Sequence, residues 1–174
     1  GWVMSEEAFM KKQSLIDYLK WRISWGRVGS DTGSSTRFMY MPGVWTQNGT
    51  YSFGVYNPTG SQAYILGTPG NTDVSWETAD KQNYGIDLKM LNNRLSLSVD
   101  YFKEKRTGIL ISPNSTPSII ATGLPNLNIG KVDNHGYEIS LGWDHTLNNG
   151  IHYYANANMS FARNKIIYMD EVPN

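Results

Sequence analysis

Residues 81–105 read KQNYGIDLKMLNNRLSLSVDYFKEK, two runs of alternating apolar and polar residues on either side of Leu91, Asn92 and Asn93. Successive strand side chains point to opposite faces, so the order of residues alone sorts them. In the first run Tyr84, Ile86, Leu88 and Met90 share one face, with Asn83, Gly85, Asp87 and Lys89 on the other. In the return run Leu95, Leu97, Val99 and Tyr101 oppose Ser96, Ser98 and Asp100. Asn92 and Asn93 tolerate the positive φ that a tight hairpin demands. A chain with this stretch is committed to antiparallel strands with one greasy edge and one wet one.

The pattern recurs. Leu19, Trp21, Ile23 and Trp25 alternate with Lys20, Arg22, Ser24 and Gly26. Near the end Tyr137, Ile139, Leu141 and Trp143 alternate with Gly136, Glu138, Ser140, Gly142 and Asp144. After Leu147-Asn148-Asn149-Gly150, where Asn149-Gly150 predicts a type I′ turn, Tyr153, Ala155, Ala157, Met159 and Phe161 alternate with His152, Tyr154, Asn156, Asn158 and Ser160. About five long strands follow, joined alternately by turns of a few residues and by loops of tens. The first long loop, 29–79, carries strand-like patches at 37–41 and 51–56; the second, 106–130, is punctuated by Pro113, Pro117 and Pro125. At the N-terminus Ser5-Glu6-Glu7 ahead of Ala8, Phe9 and Met10 predicts one capped helical turn.

Composition excludes several classes. Fifteen basic and fifteen acidic side chains leave no field that would draw nucleic acid or an anionic surface. No apolar run reaches the 18 or so residues of a transmembrane helix. Barrel strands escape that test, because their apolar residues come at every second position. Cysteine is absent, which excludes disulfides and thiolate chemistry. The chain begins at Gly1 without an initiator Met and stops at Asn174 in mid-pattern, so a fragment or processed product is expected.

Alternation alone also fits a soluble antiparallel sheet. Three features favour a membrane barrel. On the apolar faces rings collect at strand ends: Trp25, Tyr84, Tyr101, Tyr137 and Phe161 toward the long loops, Trp143 and Tyr153 toward the short turns. Aliphatic and small residues fill the middle, Trp21 excepted, as in the aromatic girdles of a membrane interface. The opposite faces carry Gly, Ser, Asn and scattered charge, suited to a wet lumen. Short turns gather at one end and long loops at the other. Five strands cannot close a barrel, since the smallest has about eight, so the rest of the wall must lie elsewhere.

The run NTDVSWETADKQNYGIDLKMLNNRLSLSVDYFKEKRTGIL resembles a barrel segment of the SusC/RagA family of TonB-linked outer-membrane transporters. The matching residues are Asn71, Asp73, Trp76, Glu77, Asn83, Gly85, Asp87, Asn93, Arg94, Leu95, Ser96, Asp100, Tyr101 and Phe102, with Thr72 where the family usually has Pro. NIGKVDNHGYEISLGW at 128–143 resembles a second family block, and GWVMSEEAFMK and LKWRISWGRVG resemble its preceding strands. The resemblance implies an all-β, antiparallel transmembrane β-barrel of about 22 strands with an internal plug. Residues 1–174 would be one partial sector, with two extracellular loops and without the plug domain. It further implies a bacterial outer-membrane location, contact with outer-membrane lipid, a SusD-like surface lipoprotein as lid, the TonB complex as energy source, and a glycan oligomer or peptide as cargo. The alternative from a different class is a soluble carbohydrate-binding β-sandwich module.

No catalytic set, cofactor or metal site is expected, and the chain reads as a non-enzyme. His135, His145 and His152 lack the spacing of a zinc-binding helix. Asp87, Asp100 and Glu138 line one wall instead of facing each other across a cleft, so they read as hydrated charges paired with Arg22 or Lys89. The ligand-facing candidates are the loop aromatics Trp45, Tyr51, Tyr56 and Tyr64, whose planes suit the C–H faces of sugars. The competing role for these rings is to fold the loop or meet the lid. Trp76 is expected to be a structural anchor.

Overall fold

The computed structural model describes residues 1–31, 33, 37–54, 60–115 and 123–171. Among the described residues eight strands follow in order: β1 (Trp2–Val3), β2 (Ile16–Ser30), β3 (Thr46–Tyr51), β4 (Ser61–Ile65), β5 (Glu77–Met90), β6 (Leu95–Ile111), β7 (Leu127–Thr146) and β8 (His152–Tyr168). The five long strands expected from the alternation are β2 and β5 to β8. They form a six-stranded sheet ordered β1-β2-β5-β6-β7-β8, while β3 and β4 pair separately. The sheet is open, with β1 and β8 as its edges. A 3-10 turn at Met4–Glu6, without a side-chain cap, precedes the position of the expected helical turn, where the Met10 and Lys11 N–H groups both donate to the Glu7 carbonyl (2.9 and 3.3 Å).

The chain divides into two compact units. The first comprises Gly1–Val28, Ala79–Arg106 and Val132–Ile166. Here each residue's face follows the pleat, and rings fix the register. Tyr84 lies 6.4 Å from Tyr101, and Tyr137 stacks on Phe161 at 5.5 Å. A side chain at Gly136 would meet the ring of Phe102 at 2.6 Å and collide with the carbonyl oxygen of Phe161. Gly136 therefore sits beside Phe102, and their neighbours Tyr137 and Tyr101 sit beside each other on the reverse face. Tyr84, Tyr101, Tyr137 and Phe161 thus make one row across β5 to β8. At the other end His145 meets the rings of Trp143 and Tyr153 at 6.5 and 5.6 Å. Between the rows lie Ile86, Val99 and Ile139, then Leu88, Leu97 and Leu141.

Among the described residues no hydrophobic side chain is buried, and Trp25 is 73% exposed. A β-sandwich would have covered this face with a second layer of its own. The described residues that are buried are Asn71, Gly85, Gly130 and Gly136. Packing in this sheet is cross-strand, with glycine making room for a neighbour's large side chain.

The turns divide. Leu91, Asn92 and Asn93 all adopt positive φ, near 60°. The β7–β8 turn departs from expectation, because Gly150 alone takes positive φ (87°) and a type I′ turn needs two such residues. The Gly150 N–H donates to the Leu147 carbonyl (2.9 Å), and the Ile151 N–H to Asn149 Oδ1 (3.1 Å). Asn149 closes the turn through its side chain instead of its backbone. The β1–β2 connection lies with the short turns yet is longer, and it is tied to them: the Leu91 N–H donates to the Leu15 carbonyl at 3.2 Å.

The second unit comprises Gly29–Thr78, Thr107–Lys131 and Ile167–Asn174. Two expectations are corrected here. The loop drawn at 106–130 is shorter, because β6 runs to Ile111 and β7 starts at Leu127. Gly108, at φ 70°, breaks the period without ending the strand. The patch at 37–41 is a turn, not a strand: Phe38 has φ 57° and the Met41 N–H donates to its carbonyl at 2.9 Å. Of the patch at 51–56, Tyr51 ends β3 and positions 55 and 56 lie outside the described residues.

Candidate functional site

On the polar face of the first unit, β2, β5 and β6 bring charged side chains into one cluster. Arg22 Nε donates to Asp87 Oδ2 (2.7 Å) and Nη2 to Asp87 Oδ1 (3.0 Å), a two-pronged pair in which Nη2 also reaches Asp100 Oδ2 (2.8 Å). Ser98 Oγ donates to Asp87 Oδ1 at 2.9 Å. Gly85 is the floor. A Cβ there would come within 2.6 Å of Asp100 Oδ1 and 2.8 Å of the guanidinium carbon. The sequence left Arg22 and Lys89 as possible partners for these carboxylates; the structure selects Arg22. Both carboxylates lean on one cation from adjacent strands, which is not the opposed placement that glycoside hydrolysis needs. Glu138 stands apart on β7, beside Ser140 and Asn158.

His145 and His152 serve rings and a turn. His152 Nε2 lies 3.1 Å from Asp144 Oδ1, and its ring stacks near Tyr154 at 6.0 Å. Among the described residues no group of three or more His, Asp or Glu is placed to hold a metal.

In the second unit two asparagines tie together segments far apart in sequence. Asn71 is 7% exposed; its amide donates to the Asn126 carbonyl (2.8 Å), its Oδ1 accepts the Asp73 N–H (3.0 Å), and its backbone N–H donates to the Met39 carbonyl (2.8 Å). Asn128 pairs with the backbone of Ser75 in both directions (3.0 and 2.7 Å) and donates to the Gly108 carbonyl (2.7 Å). Both residues belong to the blocks that carried the family resemblance, and their roles needed the fold to appear. The Trp76 ring stands over Gly29, where a Cβ would meet it at 3.0 Å. It borders a 420 Å³ cavity together with Asp31, Arg37, Phe38, Tyr40 and Asn128. Asp170 accepts the N–H groups of Ser115 (3.0 Å) and Asn114 (2.8 Å) and the Ser115 hydroxyl (2.8 Å). These donors, the Ser115 N–H first, hold its carboxyl below the usual carboxylate range.

The proposed ligand aromatics fall on and beside the β3–β4 hairpin, whose base is closed where the Gly43 N–H donates to the Thr68 carbonyl at 2.8 Å. Tyr64 pairs across the ladder with Gln47, whose Nε2 donates to its hydroxyl at 3.5 Å. Trp45 immediately precedes β3. A register shift between Gln47 and Thr50 puts Thr50 opposite Gln62 and Tyr51 opposite Ser61. Tyr51 is thereby turned to the face away from Tyr64, and its ring packs against Phe53 at 4.9 Å. Trp45, Tyr51 and Tyr64 are 64%, 64% and 54% exposed, so the hairpin is not folded around them. Tyr56 lies outside the described residues. Phe53 was missed by sequence reasoning, although the Tyr-x-Phe spacing at a strand end is the signal of such a pair.

Comparison with known proteins identifies relatives. The family described as "TonB dependent receptor-like, beta-barrel" matches residues 8–174. TonB-dependent receptor P39 of Formosa agariphila is 32% identical over 171 residues, covering 96% of this chain and 15% of the relative. TonB-dependent receptor SusC of Bacteroides thetaiotaomicron is 29% identical over 143 residues, covering 81% and 14%. Among solved structures, the RagAB peptide importer in its "open-open" state superposes with a TM-score of 0.70 at 26% identity, covering 93% of this chain and 17% of that one. The chain thus spans about one sixth of the length of the relatives it matches.

Proposed function

The chain belongs to the TonB-dependent receptor-like β-barrel family, and on that premise we propose that it forms one sector of the wall of an outer-membrane transporter importing glycan oligomers or peptides. The observation that carries this reading is the sheet with no covered apolar face. Its greasy side, bounded at both ends by aromatic rows, suits hydrocarbon, and its Arg22 cluster suits water. From the Tyr137–Phe161 row to the His145–Tyr153 row is eight residues, about 26 Å along a strand. Tilt reduces that to about 20 Å of height, near the roughly 25 Å apolar band of such barrels.

In this reading import runs under a SusD-like lipoprotein lid and is driven by the TonB complex, as in the SusC/RagA relatives that the sequence resembles. RagAB is named a peptide importer, which supports peptide cargo; the exposed rings Trp45, Tyr51 and Tyr64 suit glycan as well. They would touch cargo from both faces of the hairpin. The test is uptake by cells carrying the full-length protein. Replacing Trp45, Tyr51 and Tyr64 by Ala together should cut uptake of one cargo class at least several-fold while the protein stays in the outer membrane. Undiminished uptake of both classes would remove the rings from cargo binding. A parent protein absent from the outer-membrane fraction would remove the transporter reading itself.

A further inference from the structure

We propose that the cavity beside Trp76 in the second unit binds a short peptide by its two charged ends. The lining carries the rings of Phe38, Tyr40 and Trp76, each more than half exposed, and two charged side chains of opposite sign, Asp31 and Arg37. Among the described residues neither charge has a hydrogen-bond or ion-pair partner, and the two do not pair with each other. Glu77, the other acid of the lining, is not free. At 420 Å³ the cavity lies at the small end of ligand sites, which run to about 1,000 Å³, so it suits a peptide of a few residues and not a folded partner.

The walls are fixed by bonds of the fold itself. Phe38 takes φ 57°, a left-handed conformation costly for a bulky residue, and its ring meets Tyr40 edge-on at 6.2 Å. That turn is clamped where the Met41 N–H donates to the Phe38 carbonyl (2.9 Å) and the Asn71 N–H to the Met39 carbonyl (2.8 Å). Elsewhere in the lining Asn128 holds the backbone of Ser75 and Gly108, and Gly29 lets the Trp76 ring lie close to the chain. Rings and two unpaired charges held in this way are complementary to a ligand charged at both ends and apolar between. A peptide's ammonium would meet Asp31, and its carboxylate would meet Arg37, whose planar fork matches it; an apolar side chain would lie on the rings. A neutral sugar could stack on the same rings but would leave both charges uncompensated.

The site narrows the cargo of the import reading, on which it rests, to peptide, and the experiment separates the two. The full-length protein, purified in neutral detergent, is equilibrated by dialysis with alanyl-phenylalanine, with its N-acetylated form, with its C-terminal amide, and with maltose. The wild type should bind the free dipeptide roughly tenfold more tightly than either blocked form. Asp31→Asn should lose the discrimination against the acetylated form alone, and Arg37→Met that against the amide alone. Neither substitution removes a bond from the fold, so both variants should stay folded. No binding of the free dipeptide, equal binding of the three peptides by the wild type, or variants that weaken all three alike would overturn the site. Maltose bound more tightly than the free dipeptide would overturn the peptide assignment in favour of glycan. Each of those failures leaves the import reading standing. Binding as expected by a protein that is absent from the outer-membrane fraction would support the site and sink the import reading.

Discussion

The two units are held together by different means. In the first, adjacent strands sort their side chains by the pleat, and what stabilises them is lateral: ring beside ring, guanidinium across carboxylates, a glycine under a neighbour's side chain. In the second, Asn71, Asn128 and Asp170 use side-chain atoms to hold the backbone of Asn126, Ser75 and Ser115, which lie outside the strands. A wall can repeat one rule from strand to strand. A loop must solve each unpaired backbone group separately.

The contrast can be broken most directly at Gly136. Gly136→Leu drives a side chain into the Phe161 carbonyl and the Phe102 ring, and backbone cannot retreat as a side-chain tip can. The full-length variant should lose about 3 kcal/mol or fail to insert, read from urea-dependent, heat-modifiable gel mobility. Wild-type behaviour would mean that the β6–β7–β8 register described above is wrong.

Asn71→Ala tests the second unit. It removes the buried Asn71 side chain from the Asn126 carbonyl and the Asp73 N–H and should cost about 2 kcal/mol of local stability, roughly 1 for each hydrogen bond lost. Protease cleavage within 37–45 should then speed up, with the strands of the first unit still protected. Protection lost everywhere at once would erase the distinction between the units.

Arg22→Met should be milder, about 1–2 kcal/mol, because side-chain exposures of 19% to 37% leave the carboxylates partly hydrated. Adding Asp87→Asn and Asp100→Asn should restore most of the loss. Failure of that rescue would point to packing over Gly85, not charge, as the cluster's contribution.

The smallest effect concerns Asp170. Its carboxyl is depressed in the folded chain, so its contribution is complete above the unfolded carboxylate pKa of about 4 and fades as pH falls through the lower, folded value. Amide exchange at Asn114 and Ser115, corrected for intrinsic rates, should lose protection over that acid range in the wild type. Asp170→Asn should abolish the pH dependence. A dependence that persisted would assign it to another group.

How much of this was legible beforehand follows the same division. The alternation of 83–101 was sufficient to place Tyr84 beside Tyr101 at one end of a hairpin, because a period of two needs no partner to be read. It failed at 106–111, where Gly108 interrupts the period while the ladder continues. It failed again at 37–41, where a run of large residues suggested a strand and Phe38 instead turns the chain. Asn71 stood out by family resemblance alone, since its partner is 55 residues away. The loop rings stood out as candidate ligand contacts by residue type alone, and the register shift that turns Tyr51 away from Tyr64 has no signature in the order of residues.

The sequence by itself determined which edge of each long strand is greasy and which is wet and where the hairpins turn; local alternation is a property of neighbours in the chain. Only the tertiary structure decided that Arg22 rather than Lys89 bridges Asp87 and Asp100, that Gly136 lies beneath Phe102, and that Asn71 joins residue 39 to residue 126. Those choices depend on strand register, and register is fixed by contacts between residues far apart in the chain.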